Sequence, residues 1–161
     1  MARARAIPDL QASGSFAEAA ARVVRIRAEE VFEHAADVLD LDDIERVHDM
    51  RVATRRLRAV LEIFAPCFHR KAHRAVLRDV KRLADALGER RDPDVQADGL
   101  ERYSRAVPAA LRAGPRELIA ELHAERAGAN ERLAETLAWV ESSDLHGRLE
   151  ALAASAAGEA A

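Results

Sequence analysis

The chain has 161 residues, 49% hydrophobic, 33% charged and only 4% aromatic, with a formal net charge of −3. That length holds one domain with its own core, and a chain rich in Ala, Leu, Arg and Glu favours packed helices over sheets. A single cysteine, Cys67, excludes an internal disulfide, and no apolar run reaches the ~20 residues of a membrane span or opens the chain as a signal peptide does.

Residues 1–15 read as a flexible N-terminal segment. Ser15 is a candidate N-cap, and Glu18 three residues later completes a capping box, so the first predicted helix runs from about Phe16 to Leu39. Asp40, Asp42 and Asp43 form an acidic turn before a second helix, from about Ile44 to Phe64, which Pro66 ends. A third helix is predicted from about Lys71 to Leu87, with Gly88 as its stop. Asp92-Pro93 looks like a cap followed by proline at the first helical position, opening a shorter fourth helix to about Ala106. After a break at Gly114-Pro115, a long helix runs from about Arg116 to Trp139. Ser142-Ser143-Asp144 punctuates it, and a last helical piece runs to about Ala154, with residues 155–161 a frayed tail. The expectation is a single all-α domain over 16–154, an up-and-down bundle of about four main helices.

The charge is unevenly spread. Between Ile44 and Arg82, 11 Arg and Lys stand against 4 Asp and Glu, whereas the rest of the chain carries 14 basic against 24 acidic residues. Such segregation speaks of an anionic partner rather than of the fold.

The second predicted helix carries most of this signal. Val47, Met50, Thr54, Leu57, Leu61 and Phe64 alternate spacings of three and four, the buried seam of a bundle helix. His48, Arg51, Arg55 and Arg58 fall within an arc of about 80°, beside that seam, and span about 15 Å. Like charges at these spacings repel by a few tenths of a kcal/mol per pair. The cost makes sense if an anion neutralises the row, and the planar, permanently charged guanidinium suits phosphate oxygens. Glu62 is the one acid on the same line and is placed to pair with Arg58. Arg56 points away from the row. In the third helix Val76, Val80, Leu83 and Leu87 form a core line. Lys71, Arg74, Arg78, Lys81 and Arg82 lie roughly opposite; taken alone they read as an ordinary solvated face, and beside the second helix as a widening of one basic surface.

The run VHDMRVATRRLRAVLEIF, Val47 to Phe64, resembles the signature helix of the CHAD family (conserved histidine α-helical domain), and LADALGERRDPDV, Leu83 to Val95, is similar to its second landmark. Leu118 to Leu152 resembles a later helix and serine-marked turn of the family. The resemblance implies a helical bundle whose basic surface binds inorganic polyphosphate. It implies roles for His48, Arg51, Arg55, Arg56 and Arg58, with Arg78, Lys81, Arg82 and Arg91 as contributors. The candidate polyphosphate-binding set is therefore His48, Arg51, Arg55, Arg58, Arg74, Arg78, Lys81 and Arg82. Members of the family usually carry two such halves facing a shared channel, and this chain has one, so a symmetric homodimer is expected.

No Gly-rich phosphate loop, metalloprotease helix or nucleophile elbow is present. No alternating Glu-x-Glu-x-Lys strand of the triphosphatase domain often joined to this family is present either. The expectation is a non-catalytic binding protein of the cytoplasm or of polyphosphate granules, needing no cofactor and no membrane. Two alternatives stand beside it. An RNA backbone would answer to the same charges, but stacking wants exposed aromatics and the basic region offers only Phe64 and Phe68. A metal-binding structural protein could use His69 and His73, one turn apart, though no Cys or carboxylate set completes them.

Overall fold

The computed structural model describes residues 3–158 apart from 9 and 12. Among them every regular element is helical: α1 (Phe16–Glu33), α2 (Ile44–Ile63), α3 (Arg70–Ala106), α4 (Ala113–Ser142) and α5 (Leu145–Gly158), with single 3-10 turns at Ala65–Cys67 and Ala109–Leu111. The architecture is the all-α bundle that the periodicity predicts, built of five helices.

α1 begins at the predicted capping box. Ser15 Oγ accepts from the Glu18 amide at 3.1 Å, and Glu18 Oε2 accepts from the Ser15 amide at 2.8 Å. The helix ends at Glu33 rather than near Leu39, because the chain turns back: Asp37 adopts a left-handed conformation (φ 57°) and Val38 folds fully into the core. Asp43 caps α2 through the Glu45 amide. The segment before α1 lies along it, with Arg5 paired to Glu29 and Glu33, and Arg22 and Arg27 donating to the carbonyls of Pro8 and Arg5.

The predicted break at Gly88 and Asp92-Pro93 does not occur. α3 runs unbroken through both, for 37 residues and about 55 Å. Pro93 removes one helical hydrogen bond, a cost of about 3 kcal/mol in a helix interior. A buried clasp offsets it. Arg90 Nη1 meets Asp94 Oδ2 at 2.7 Å, spanning the proline, and Arg90 Nε donates to Asn130 Oδ1 of α4 at 2.9 Å. Asn130 in turn donates to the Leu39 carbonyl. Tertiary packing thus overrides two local stop signals. Gly114-Pro115 likewise lies inside the first turn of α4, where a missing N–H costs nothing. Asp144 (φ 48°) separates α4 from α5 and accepts from the Gly147 amide, and a Cβ at Gly147 would run into its carboxylate. The expected frayed tail at 155–161 is helical as far as Gly158, and residues 159–161 lie outside the described residues.

The core sits where four helices and α5 converge. The predicted seam of α2 is buried from Val47 to Leu61, and Phe64 at its end packs on Phe16. It meets Val24, Ala28 and Val31 of α1, and Val76, Val80, Leu83 and Leu87 of α3. Leu133 and Val140 of α4 and Leu145, Leu149 and Leu152 of α5 close the other side. Each helix packs on its sequence neighbour, α3 most extensively on α4, and α5 returns antiparallel onto α1. Ala20 and Ala21 of α1 and Ala153 and Ala156 of α5 are buried in the shared core.

Candidate functional site

α3 forms an exposed ridge with a groove on each side, and the basic residues are divided between the two. On the α2 side, Arg51, Arg55 and Arg58 line a groove of about 420 Å³. Its other wall, from α3, carries Asp85, Glu89 and Asp92. The two rows share the same spacing, four then three residues, so three guanidiniums face a groove that also holds three carboxylates. On the α4 side, Arg74, Arg78, Lys81 and Arg82 line a larger groove of about 670 Å³, with Arg132 contributed by α4. Asp85, Glu89 and Glu135 border it, so five basic side chains stand against three acidic ones. Arg74 and Arg78 also edge a hollow with His69, Arg70 and Lys71 at the start of α3.

The two basic rows meet at Glu62. Its Oε1 takes Arg58 Nε at 3.1 Å and Lys81 Nζ at 3.4 Å, joining α2 to α3. The hydrogen bond from Arg58 holds the Glu62 carboxyl below the ordinary carboxylate range. Two basic side chains of the α4 groove, Arg82 and Arg78, are held in place by the fold. Arg82 lies over the Trp139 ring of α4, 4.0 Å from its centroid. Arg78 Nε donates to Asp79 Oδ1 at 3.1 Å, and the buried Asp79 carboxylate is fixed from the other side by Arg148 of α5 at 2.6 Å. These contacts hold Arg78 and Arg82 at the groove before any ligand arrives.

His48 is not brought to the groove. Its ring lies with the carboxylates of Glu45 and Asp49, their candidate ligand atoms all within 4.8 Å of one another at the start of α2. A divalent cation could sit among these three groups. The His69–His73 pair, by contrast, cannot serve as the metal site weighed from sequence. His73 is buried, its Nε2 bonds the Leu61 carbonyl at 2.8 Å, and its ring stacks on Phe68. Arg56 is half-buried and does not line the groove of its neighbours. Arg91 turns to Asp94, with Nη1 3.7 Å from Oδ2, rather than to either groove.

Sequence reading missed Arg132 and the acidic wall of α3. The spacing of Asp85, Glu89 and Asp92 is visible in the sequence. Its apposition to the arginine row depends on how α2 and α3 pack, which the spacing does not carry.

With this geometry in hand, two comparisons bear on what the surface is for. The family model of the CHAD domain matches residues 22–161. Over 81 residues, half of this chain, the sequence is 35% identical to the uncharacterized protein Rv2226 of Mycobacterium tuberculosis, and the match spans 16% of that protein's length.

Proposed function

The chain belongs to the CHAD domain family, and from that premise we propose that it is a non-catalytic module that binds inorganic polyphosphate. The observation that carries this reading is the meeting of two basic rows around α3, Arg51, Arg55 and Arg58 on one side and Arg74, Arg78, Lys81 and Arg82 on the other, joined at Glu62. A flexible chain of phosphates can follow such a surface from one groove to the next. Its oxygens would meet guanidinium forks in pairs.

An RNA backbone is a weaker fit. Phe64 packs on Phe16, Phe68 on His73, and Trp139 lies under Arg82, so the aromatics near the basic surface already have partners. Base stacking would have to displace them. Among the described residues no helix is long and apolar enough to cross a membrane. Polyphosphate in the cytoplasm or in granules is the ligand source this reading favours.

The test is a competition assay at physiological salt among long-chain polyphosphate, short oligophosphate, tRNA and duplex DNA. Polyphosphate should displace the others, with affinity that falls steeply as salt rises, because bound counterions are released. Preferential retention of tRNA would replace this reading with the nucleic-acid one.

A further inference from the structure

The acids at the basic surface are not alike: Asp85, Glu89, Asp92 and Glu135 stand exposed on the groove walls, whereas Asp79 is out of a ligand's reach. Asp79 is buried and clamped from two sides by Arg78 and Arg148. Glu62 differs in three respects. Its side chain is 44% exposed, its second contact is 3.4 Å where that of Asp79 is 2.6 Å, and one oxygen, Oε1, serves both cations. Those cations come from different helices, Arg58 from α2 and Lys81 from α3. An anionic oxygen between a guanidinium and an ammonium is what a non-bridging phosphate oxygen would be at the same place. Glu62 also links the two basic rows by ion pairs, so a phosphate chain crossing from one groove to the other passes here.

Resting on the polyphosphate reading, we infer that the Glu62 carboxylate is a tethered placeholder in the ligand's path, displaced when a phosphate takes Arg58 and Lys81. In the empty protein it keeps two like charges together that would otherwise repel. In the complex it becomes a negative charge beside a polyanion and lowers affinity. Glu62 therefore tunes how tightly the chain is held, so that release stays possible.

The experiment compares the full chain with Glu62→Gln and Glu62→Asp, titrated with long-chain polyphosphate at fixed, near-physiological ionic strength. Gln keeps the shape and removes the charge. A unit like charge about 4 Å away in water corresponds to about a fivefold change, so Glu62→Gln should bind about fivefold tighter. Glu62→Asp keeps the charge and should bind like the parent. Equal or weaker binding by Glu62→Gln overturns the inference and makes Glu62 a positioning residue for Arg58 and Lys81. Tightening by Glu62→Asp equal to that by Glu62→Gln overturns it as well, since charge would not be the cause. Absence of polyphosphate binding in parent and variants alike overturns the underlying functional reading instead.

Discussion

The Arg82 guanidinium lies 4.0 Å above the centre of the Trp139 ring, tying the basic face of α3 to α4. Trp139 is the sole tryptophan of the chain, so its emission reports on this one contact. Polyphosphate binding that draws on Arg82 should change the emission saturably, and Arg82→Ala should abolish the change. Binding seen by another method with constant emission would remove Arg82 from the ligand surface.

Arg51, Arg55 and Arg58 flank the core and do not fill it. Alanine at each should weaken polyphosphate binding while changing stability by about 0.5 kcal/mol or less. Leu57, one position away from Arg58 but buried in the seam, should behave oppositely, with Leu57→Ala costing about 2–5 kcal/mol. Urea titration and binding on the same samples separate the two. Unchanged affinity in all three arginine variants counts against the α2 groove.

The clasp at Asp94 is a different kind of arginine site. Arg90 and Asp94 have side chains 0% and 2% exposed, and Arg91 and Arg126 converge on the same carboxylate. Removing the charge of Asp94 leaves buried cations uncompensated, so Asp94→Asn should cost about 3–5 kcal/mol in chemical denaturation. Circular dichroism should show a loss of helix, since α3 passes Pro93 beside this pair. A variant as stable as the parent would mean that the clasp does not hold the helix together.

Ser15 caps α1, and Ser15→Ala should cost about 1 kcal/mol. Its hydrogen bonds to Glu18, backbone first and then side chain, hold the Glu18 carboxyl below its ordinary value of 4.5. A carboxyl depressed in the folded state contributes stability above its unfolded pKa and loses it as pH falls through the folded one. The stability gap between parent and Glu18→Gln should thus be full at neutral pH and shrink below about pH 4.5. A gap that does not vary with pH, measured by thermal melts from pH 7 to 3, would show that Glu18 does not cap as a carboxylate.

We propose that two copies of this chain turn their basic grooves toward one shared channel. The expected assembly is a two-fold homodimer, which polyphosphate should favour by neutralising the basic faces. At about a hundredfold excess over its dissociation constant, ligand should add about 2.7 kcal/mol of apparent stability. Light scattering with and without polyphosphate decides the assembly, and a monomer in both conditions rules it out.

Much of the fold was legible because helix period and burial coincide. The α2 seam from Val47 to Leu61 and the α3 line from Val76 to Leu87 are buried as their spacings require. The capping box at Ser15 is local and was readable for the same reason. What escaped depended on partners distant in sequence. Asn130 holds Arg90 from 40 residues away, so nothing near Gly88 or Pro93 announces that α3 continues. His73 looks like half of a metal pair until Leu61, twelve residues earlier, takes its ring nitrogen. The arginine row was visible on α2, but the carboxylates opposite it belong to α3, and their meeting is a fact of packing.

The return of α5 onto α1 has a kinetic side. Phe32 packs against His146 with the rings tilted, and Arg25 reaches Glu150, so the two ends of the described helical chain lie together. Neighbouring pairs such as α1 with α2 and α3 with α4 can form through short connections. The α1–α5 contact must instead close a loop of more than a hundred residues, whose entropic toll grows only with the logarithm of its length. That closure is the most non-local step of folding, and the steady cost of long loops makes it slower than the hairpins rather than forbidding.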